Sequence, residues 1–175
     1  MNRSQLSYGQ IRLRPLEPED LEFLYQWEND PAIWKVSNTV APYSRFILKQ
    51  YIQESHRDLY ETKQLRLIIE DMEGNVVGAA DLFDFDPFHQ RAGIGILIYN
   101  MTDRRKGLAT DALHLMCEYG MNTLGLHQLY ANIGSDNQGS KTLFEKEGFQ
   151  LSGIKKEWIR TLGGWMDEIM MQKIL

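Results

Sequence analysis

Ile11 and Leu13 stand apart from Arg12 and Arg14, and this two-residue alternation predicts a strand over 10–16. Pro18 with Glu19-Asp20 then opens a helix whose apolar residues Leu21, Leu24 and Tyr25 keep helical spacing. Residues 43–60 carry Phe46, Ile47, Tyr51 and Ile52 on one side and predict a single longer amphipathic helix. Runs 65–69 and 76–85 read as strands joined at Met72-Glu73-Gly74-Asn75, a hairpin signal. A further strand covers 91–99, and Ala109, Leu113, Met116 and Gly120 stripe a helix over 108–122. Strand 129–133, helix 138–147 and strand 149–159 follow, and Gly163-Gly164 turns the chain into a last strand over 165–174. The order β-α-α-β-β-β-α-β-α-β-β is mixed α/β, with antiparallel hairpins in the middle and two strand–helix units after them.

With 175 residues the chain suits one domain with a proper core, and its 43% hydrophobic content is globular. No run approaches the roughly 20 apolar residues of a membrane span. Residues 1–10 are polar and carry no secretory hydrophobic segment, so no membrane partner is expected. Cys117 is the single cysteine and lies in a helical pattern with Leu113 and Met116, which reads as a small buried hydrophobe. With no internal disulfide available, a cytoplasmic location is expected. The net charge of −5 argues against a nucleic-acid partner, whose binding needs a basic face. Glu17, Glu19, Asp20, Glu22, Glu28 and Asp30 crowd the stretch between Leu16 and Trp34, which has no Lys or Arg. They read as solvated helix surface, and some as a negative wall for a cationic substrate.

The strongest chemical signal is Arg104-Arg105-Lys106-Gly107-Leu108-Ala109, between the strand over 91–99 and the helix over 108–122. A glycine turn there leaves backbone N–H groups unpaired at a helix start, where the macrodipole is positive. Cations at that end are disfavoured unless an anion joins them, so the turn is read as a phosphate seat. It lacks the paired glycines and Lys-Ser/Thr of a P-loop. Gly93 and Gly95 form a lone G-x-G inside a strand, so the dinucleotide fingerprint is also missing. Those two glycines read as a flat strand surface or a bulge beside a ligand.

The turn matches Arg/Gln-x-x-Gly-x-Gly/Ala and resembles the acetyl-CoA pyrophosphate loop of the GNAT N-acetyltransferases. Leu13-Arg14-Pro15-Leu16-Glu17 with Glu19-Asp20-Leu21 resembles that superfamily's first strand and helix, and Asn29-Asp30-Pro31 the turn that follows. Asn137, Ser140, Lys141, Phe144 and Glu147-Gly148-Phe149 resemble its late helix and next strand. The resemblance covers nearly the whole chain and implies a single N-acetyltransferase domain over 1–175. It is closest to the branch of ribosomal-protein N-terminal acetyltransferases and spermidine N-acetyltransferases. Tyr119-Gly120 through Leu129-Tyr130, and His89 paired with Arg91, lean toward the spermidine enzymes.

The resemblance implies a GNAT-like, mostly antiparallel sheet of about seven strands with about four helices. Its fourth and fifth strands would splay around acetyl-CoA, the cosubstrate, with no metal. Backbone groups of Leu97, Ile98 and Tyr99 would hold pantetheine, and Arg104, Arg105, Lys106, Gly107, Leu108, Ala109 and Thr110 the pyrophosphate. Asn132 would sit near the thioester, with Asn137, Lys141 and Phe144 contacting the cofactor from the other side. Asn137 also reads as a helix cap. Many relatives carry at position 144 a tyrosine that protonates the leaving thiolate. Phe144 cannot, which leaves two readings: Ser140, one turn earlier, donates instead, or the thiolate simply departs and takes a proton from water.

An alkyl amine, with a pKa of about 10.4, arrives protonated and needs a base, whereas an α-amino group near 8 needs less help. Asp81 and Asp84 are the candidate bases. Strand alternation puts Asp84 and Asp86 on the face of Leu82, and Asp81 on the face of Phe83 and Phe85. A desolvated aspartate there would have a raised pKa. His89 is a further candidate, acting through water. Glu28, Trp34 and His89 are expected on the substrate side, and Trp27, Trp34 and Tyr51 form either an aromatic wall for an ammonium group or plain helix contacts. The expected function is acetyl-CoA-dependent N-acetylation of a primary amine, best a small cationic one such as spermidine. The alternatives are N-terminal acetylation of a ribosomal protein and a non-catalytic acetyl-CoA sensor. A homo-oligomer is left open.

Overall fold

The computed structural model describes residues 6–37 and 39–175, without the side chain of residue 36. Half of the N-terminal segment read as polar, residues 1–5, lies outside the described residues. Strands β1 (Ser7–Tyr8) and β2 (Ile11–Pro15) come first, followed by helices α1 (Leu21–Glu28), α2 (Pro31–Ser37), α3 (Arg45–Glu54) and α4 (Leu59–Thr62). Then come β3 (Leu65–Asp71), β4 (Val76–Asp86), β5 (Arg91–Ile98), α5 (Leu108–Asn122), β6 (Gln128–Gly134), α6 (Gln138–Lys146), β7 (Gln150–Thr161) and β8 (Gly164–Ile174). They build an eight-stranded sheet in the order β1-β2-β3-β4-β5-β6-β8-β7. The described residues thus hold one strand and two helices more than expected, but the mixed, mostly antiparallel class is the one anticipated.

The predicted helix over 43–60 is two helices. Ser44 caps α3 by accepting from the Ile47 amide, and Asp58 starts α4 by accepting from the Tyr60 amide. A cap in mid-segment stops the ladder, because its side chain competes for the backbone donors a continuous helix would use. The hairpin turn after β3 forms as read, with Gly74 at φ 86 and the Asp71 carboxylate accepting from the Glu73 and Asn75 amides.

Two apolar clusters cover the sheet. On one face Ile94, Ile98, Leu113, Met116, Leu129 and Phe149 pack beneath α5. On the other, Leu24, Trp27, Leu48, Ile52, Ile68 and Ala79 join α1 and α3 to the sheet. Cys117 is buried in the first cluster, and burial pushes its thiol up to about 12, so it stays protonated. Among the described residues no helix is long and apolar enough to cross a membrane.

One junction shapes the site. β5 and β6 run parallel and pair only at Arg91↔Gln128, Ala92↔Leu129 and Gly93↔Tyr130. Beyond that point β5 stays with β4 as far as Ile98, and β6 stays with β8 as far as Gly134. Their facing edges therefore part into a V whose apex is the Gly93–Tyr130 pair.

Candidate acetyl-transfer site

The wide end of the V meets the glycine turn. Gly107 is the N-cap of α5 at φ 91, a backbone region closed to most side chains, and Arg105 also lies at φ 64. Asp111 is the first residue whose amide bonds back, to the Gly107 carbonyl at 3.0 Å. The amides of Leu108, Ala109 and Thr110 precede it and have no acceptor within the helix. The β1–β2 turn anchors this loop from outside. The Gln10 amide donates to the Asp111 carboxylate at 2.9 Å, and Gln10 Nε2 donates to the Lys106 carbonyl at 3.1 Å. Arg104 Nε donates to the Ile98 carbonyl at 3.1 Å, and Lys106 Nζ pairs with Asp103 at 3.0 Å, while Arg105 is exposed.

The β5 backbone corrects one expectation. The Tyr99 amide donates to the Val77 carbonyl at 3.1 Å, so it points toward β4. In an antiparallel pair a residue turns both its peptide groups the same way, and its neighbours turn theirs the opposite way. Tyr99 and Leu97 therefore face β4, and Ile98 and Ile96 face the opening. Of the residues 97–99 expected to hold an extended ligand, Ile98 is the one with backbone groups on the free edge.

Across the V, Asn132 lies two residues past the last β5–β6 pair, and its Oδ1 accepts from Lys155 Nζ at 3.1 Å. Asn137 caps α6, its Oδ1 accepting from the Ser140 amide at 3.1 Å. Lys141 reaches Glu145 at 3.8 Å. Phe144 is buried and packs edge-on against Phe149 at 4.9 Å, inside the cluster beneath α5.

On the opposite face, the side covered by α1 and α3, β5 presents its two glycines. A Cβ on Gly93 would fall 2.1 Å from the Phe83 ring, which crosses there to meet Tyr130 edge-on at 5.9 Å. A Cβ on Gly95 would meet nothing within 4 Å, so Gly95 floors an open hollow beside the apex. One glycine thus admits a neighbour's ring, and the other leaves space.

The register sets Arg66, Asp81 and Gly95 in one row across β3, β4 and β5. Arg66 Nε and Nη2 donate to both Asp81 oxygens at 2.7 and 3.1 Å, and Nη1 reaches Glu28 of α1 at 2.5 Å. Burial works against the Arg66 charge, but Asp81 and Glu28 overcome it and hold its pKa well above the usual value. Tyr51, whose ring lies 5.8 Å from this guanidinium, is pushed up by its burial. Asp81 is therefore a paired carboxylate and not the free, desolvated one the sequence suggested.

The pattern around Asp84 also departs from expectation. β4 and β5 lose register between Phe83 and Asp86, and Asp84 takes φ 49. That β-bulge adds a residue and reverses the alternation beyond it. Phe85 joins Leu82 in the cluster beneath α5, while Asp84 is exposed and does not share Leu82's face. Asp84 Oδ2 accepts from the Tyr130 hydroxyl at 3.1 Å. Burial and the Asp84 charge push this phenol up to about 12, so it remains a donor at neutral pH. Asp84 and Tyr130 line a cavity of about 620 Å³ with Asp86, Arg91, Gln128, Met170 and Gln172.

His89 is exposed in the β4–β5 turn, where its amide donates to Asp86 Oδ1 at 3.0 Å and its ring meets Phe88. Trp34 Nε1 donates to the Glu28 carbonyl at 2.5 Å, and Trp27 is core, between Phe23 and Tyr99. Arg66, Tyr130 and Lys155 were not anticipated. A lone arginine amid the apolar run 65–69 was the available signal for the first, but the partners of the other two lie 46 and 23 residues away.

Arg66→Met should lower stability by about 1–3 kcal/mol, less than for a fully buried pair because the three side chains remain partly exposed. Thermal unfolding should then show a drop of several degrees, from about 2–4 °C per kcal/mol. An unchanged melting temperature would remove Arg66 as the clamp between α1 and the sheet.

A glycine-capped helix start, a V between parallel strands and carboxylates beside its apex would suit an extended phosphorylated donor. Residues 10–150 match the acetyltransferase (GNAT) domain family. The chain belongs to that family and is an N-acetyltransferase. It is similar to spermidine N(1)-acetyltransferase of Escherichia coli (strain K12), 29% identical over 143 residues, or 82% of this chain and 74% of that protein. A Pseudomonas aeruginosa L-methionine sulfoximine/L-methionine sulfone acetyltransferase is 33% identical over 108 residues, 61% of this chain and 62% of that one. The crystal structure of spermidine N-acetyltransferase from Vibrio cholerae in complex with CoA and spermine has a TM-score of 0.86 at 25% identity, covering 95% and 96% of the two chains.

Proposed function

We propose that this protein transfers the acetyl group of acetyl-CoA to a primary amine of a small cationic substrate, with spermidine the best representative. The observation that carries this reading is the charge around the open hollow at Gly95. Glu28, Asp81, Asp84 and Asp86 stand on that side against the guanidiniums of Arg66 and Arg91. A rim with surplus carboxylate attracts ammonium groups and repels anions.

In this reading the pyrophosphate rests on the amides of residues 108–110 and the pantetheine arm runs along the free edge of Ile98 and Ile96. The acetyl carbon then lies near the apex, open to an amine from the Gly95 side. Asp84 is the base, directly or through a water, because Asp81 has both oxygens occupied by Arg66. The ammonium first gives a proton toward Asp84 and on to solvent, and the freed amine attacks the thioester carbon. Its second proton leaves by the same route, and collapse of the tetrahedral adduct expels the CoA thiolate, which takes a proton from water. A thiol of pKa about 8.5 makes that thiolate a fair leaving group, so Phe144 in place of an acid is tolerated.

Release of CoA, followed with a thiol reagent, tests the reading. Spermidine, spermine, aminoglycosides, L-methionine sulfoximine and N-terminal peptides are each supplied with acetyl-CoA. The expected result is turnover with a polyamine at the highest kcat/KM. Preference for peptides or for the amino-acid analogue would replace the proposed substrate class, and silence across the panel would sink it.

A further inference from the structure

We infer that Lys155 is a positioning residue that turns the amide group of Asn132 so its NH2 donates to a carbonyl oxygen of the acyl donor's arm in the V. This rests on the acetyl-CoA reading above. Register places Gly134, Glu168 and Lys155 in one row across β6, β8 and β7, two residues along from the Asn132–Met170 pair and so on the same face. Glu168 is 5% exposed, and its carboxylate pairs with Lys155 Nζ at 2.8 Å. A carboxylate that deep needs a cation beside it. The same Nζ donates to Asn132 Oδ1 at 3.1 Å and lies 5.2 Å from the centre of the exposed Trp158 ring.

The chemistry of the ammonium fixes the direction of the amide. A lysine ammonium has three donors and no acceptor, so only the oxygen of Asn132 can face it. The NH2 group must then point away from Lys155. Asn132 is exposed, two residues past the last β5–β6 pair beside the V, and among the described residues those two donors have no hydrogen-bond partner. Glu168 holds Lys155, Lys155 holds the oxygen, and the donors are left for a carbonyl acceptor. The pantetheine amides and the thioester supply such acceptors.

A double-mutant cycle on acetyl-CoA affinity, read by calorimetry without any amine, tests this. Lys155→Met is made together with Glu168→Gln so that no buried charge is stranded, and melting curves accompany each protein. Asn132→Ala and the Lys155→Met/Glu168→Gln protein should each weaken acetyl-CoA binding about fivefold, the scale of one hydrogen bond. Combining them should weaken it no further. Lys155→Arg, which keeps a donor for the amide, should restore most of the affinity. In the wild type, acetyl-CoA should shift the side-chain 15N–1H resonances of Asn132, and in the Lys155→Met/Glu168→Gln protein that shift should be lost. Losses that multiply to about 25-fold, an unchanged affinity in the lysine variant, or an Asn132 resonance unmoved by acetyl-CoA would overturn the inference. Failure to acetylate any amine would strike the proposed function and leave this test intact. A failed cycle in a protein that turns over spermidine would strike only the role of Lys155.

Discussion

Replacing Asp84 by Asn is expected to lower kcat by about 10²–10⁴, the usual contribution of a general base, with little change in acetyl-CoA affinity. The side chain keeps its size, and the amide oxygen can still accept from the Tyr130 hydroxyl, so the bulge should persist. The pH profile carries the sharper signature. A carboxylate base works only when ionised and an amide has no ionised form, so the substitution should change the acid limb of the pH–rate profile. In Asp84→Asn that acid limb should be gone and the residual rate should rise with pH, as more of the amine is free. Tyr130 reports on the same change. The Asp84 charge contributes to raising the phenol to about 12, so removing that charge should lower the phenol's titration midpoint. A difference titration of tyrosinate absorbance, wild type minus Asp84→Asn, measures it. An Asp84→Asn enzyme with the wild-type acid limb intact would exclude Asp84 and direct attention to His89 or a water chain.

Asp84 also marks where reading the sequence fails. The glycine turn that opens α5 was legible because it is local: six consecutive residues carry both the conformation and the charge. The strand order and the α5 stripe were legible because periodicity survives wherever a ladder or helix is regular. Alternation past Phe83 was not, since one extra residue in a bulge moves every later side chain to the other face. The partnership of Arg66 with Asp81 and Glu28 was hidden for another reason. Each residue taken alone is an ordinary charge, and only the register of β3 on β4, with α1 laid above, turns three charges into a clamp. The same holds for Glu168, Lys155 and Asn132, which three strands assemble from distant parts of the chain.

Gly107→Val should weaken acetyl-CoA binding at least tenfold and also lower stability. Two effects are mixed in that change, and a second glycine separates them. Gly107 lies at φ 91 and Gly74 at φ 86, so a valine at either position meets nearly the same backbone strain. Such strain costs about 1–3 kcal/mol, a fall of several degrees in melting temperature for a chain of this size. Neither position is blocked by space: a Cβ at Gly107 meets only Gln10 Nε2 at 3.6 Å, and at Gly74 it meets nothing within 4 Å. What differs is the setting. Gly74 turns the β3–β4 hairpin, whereas Gly107 caps α5, where the unpaired amides of residues 108–110 begin. A valine there puts methyl groups beside those donors and pulls the cap out of its left-handed conformation, so the amides no longer converge. The two variants should thus melt alike, while calorimetry finds acetyl-CoA affinity lost in Gly107→Val and kept in Gly74→Val. The loss should also shrink as salt is added, because wild-type binding is itself weakened by screening of the phosphate charge. Equal affinities for the two variants would mean that the pyrophosphate does not rest on the α5 N-terminus.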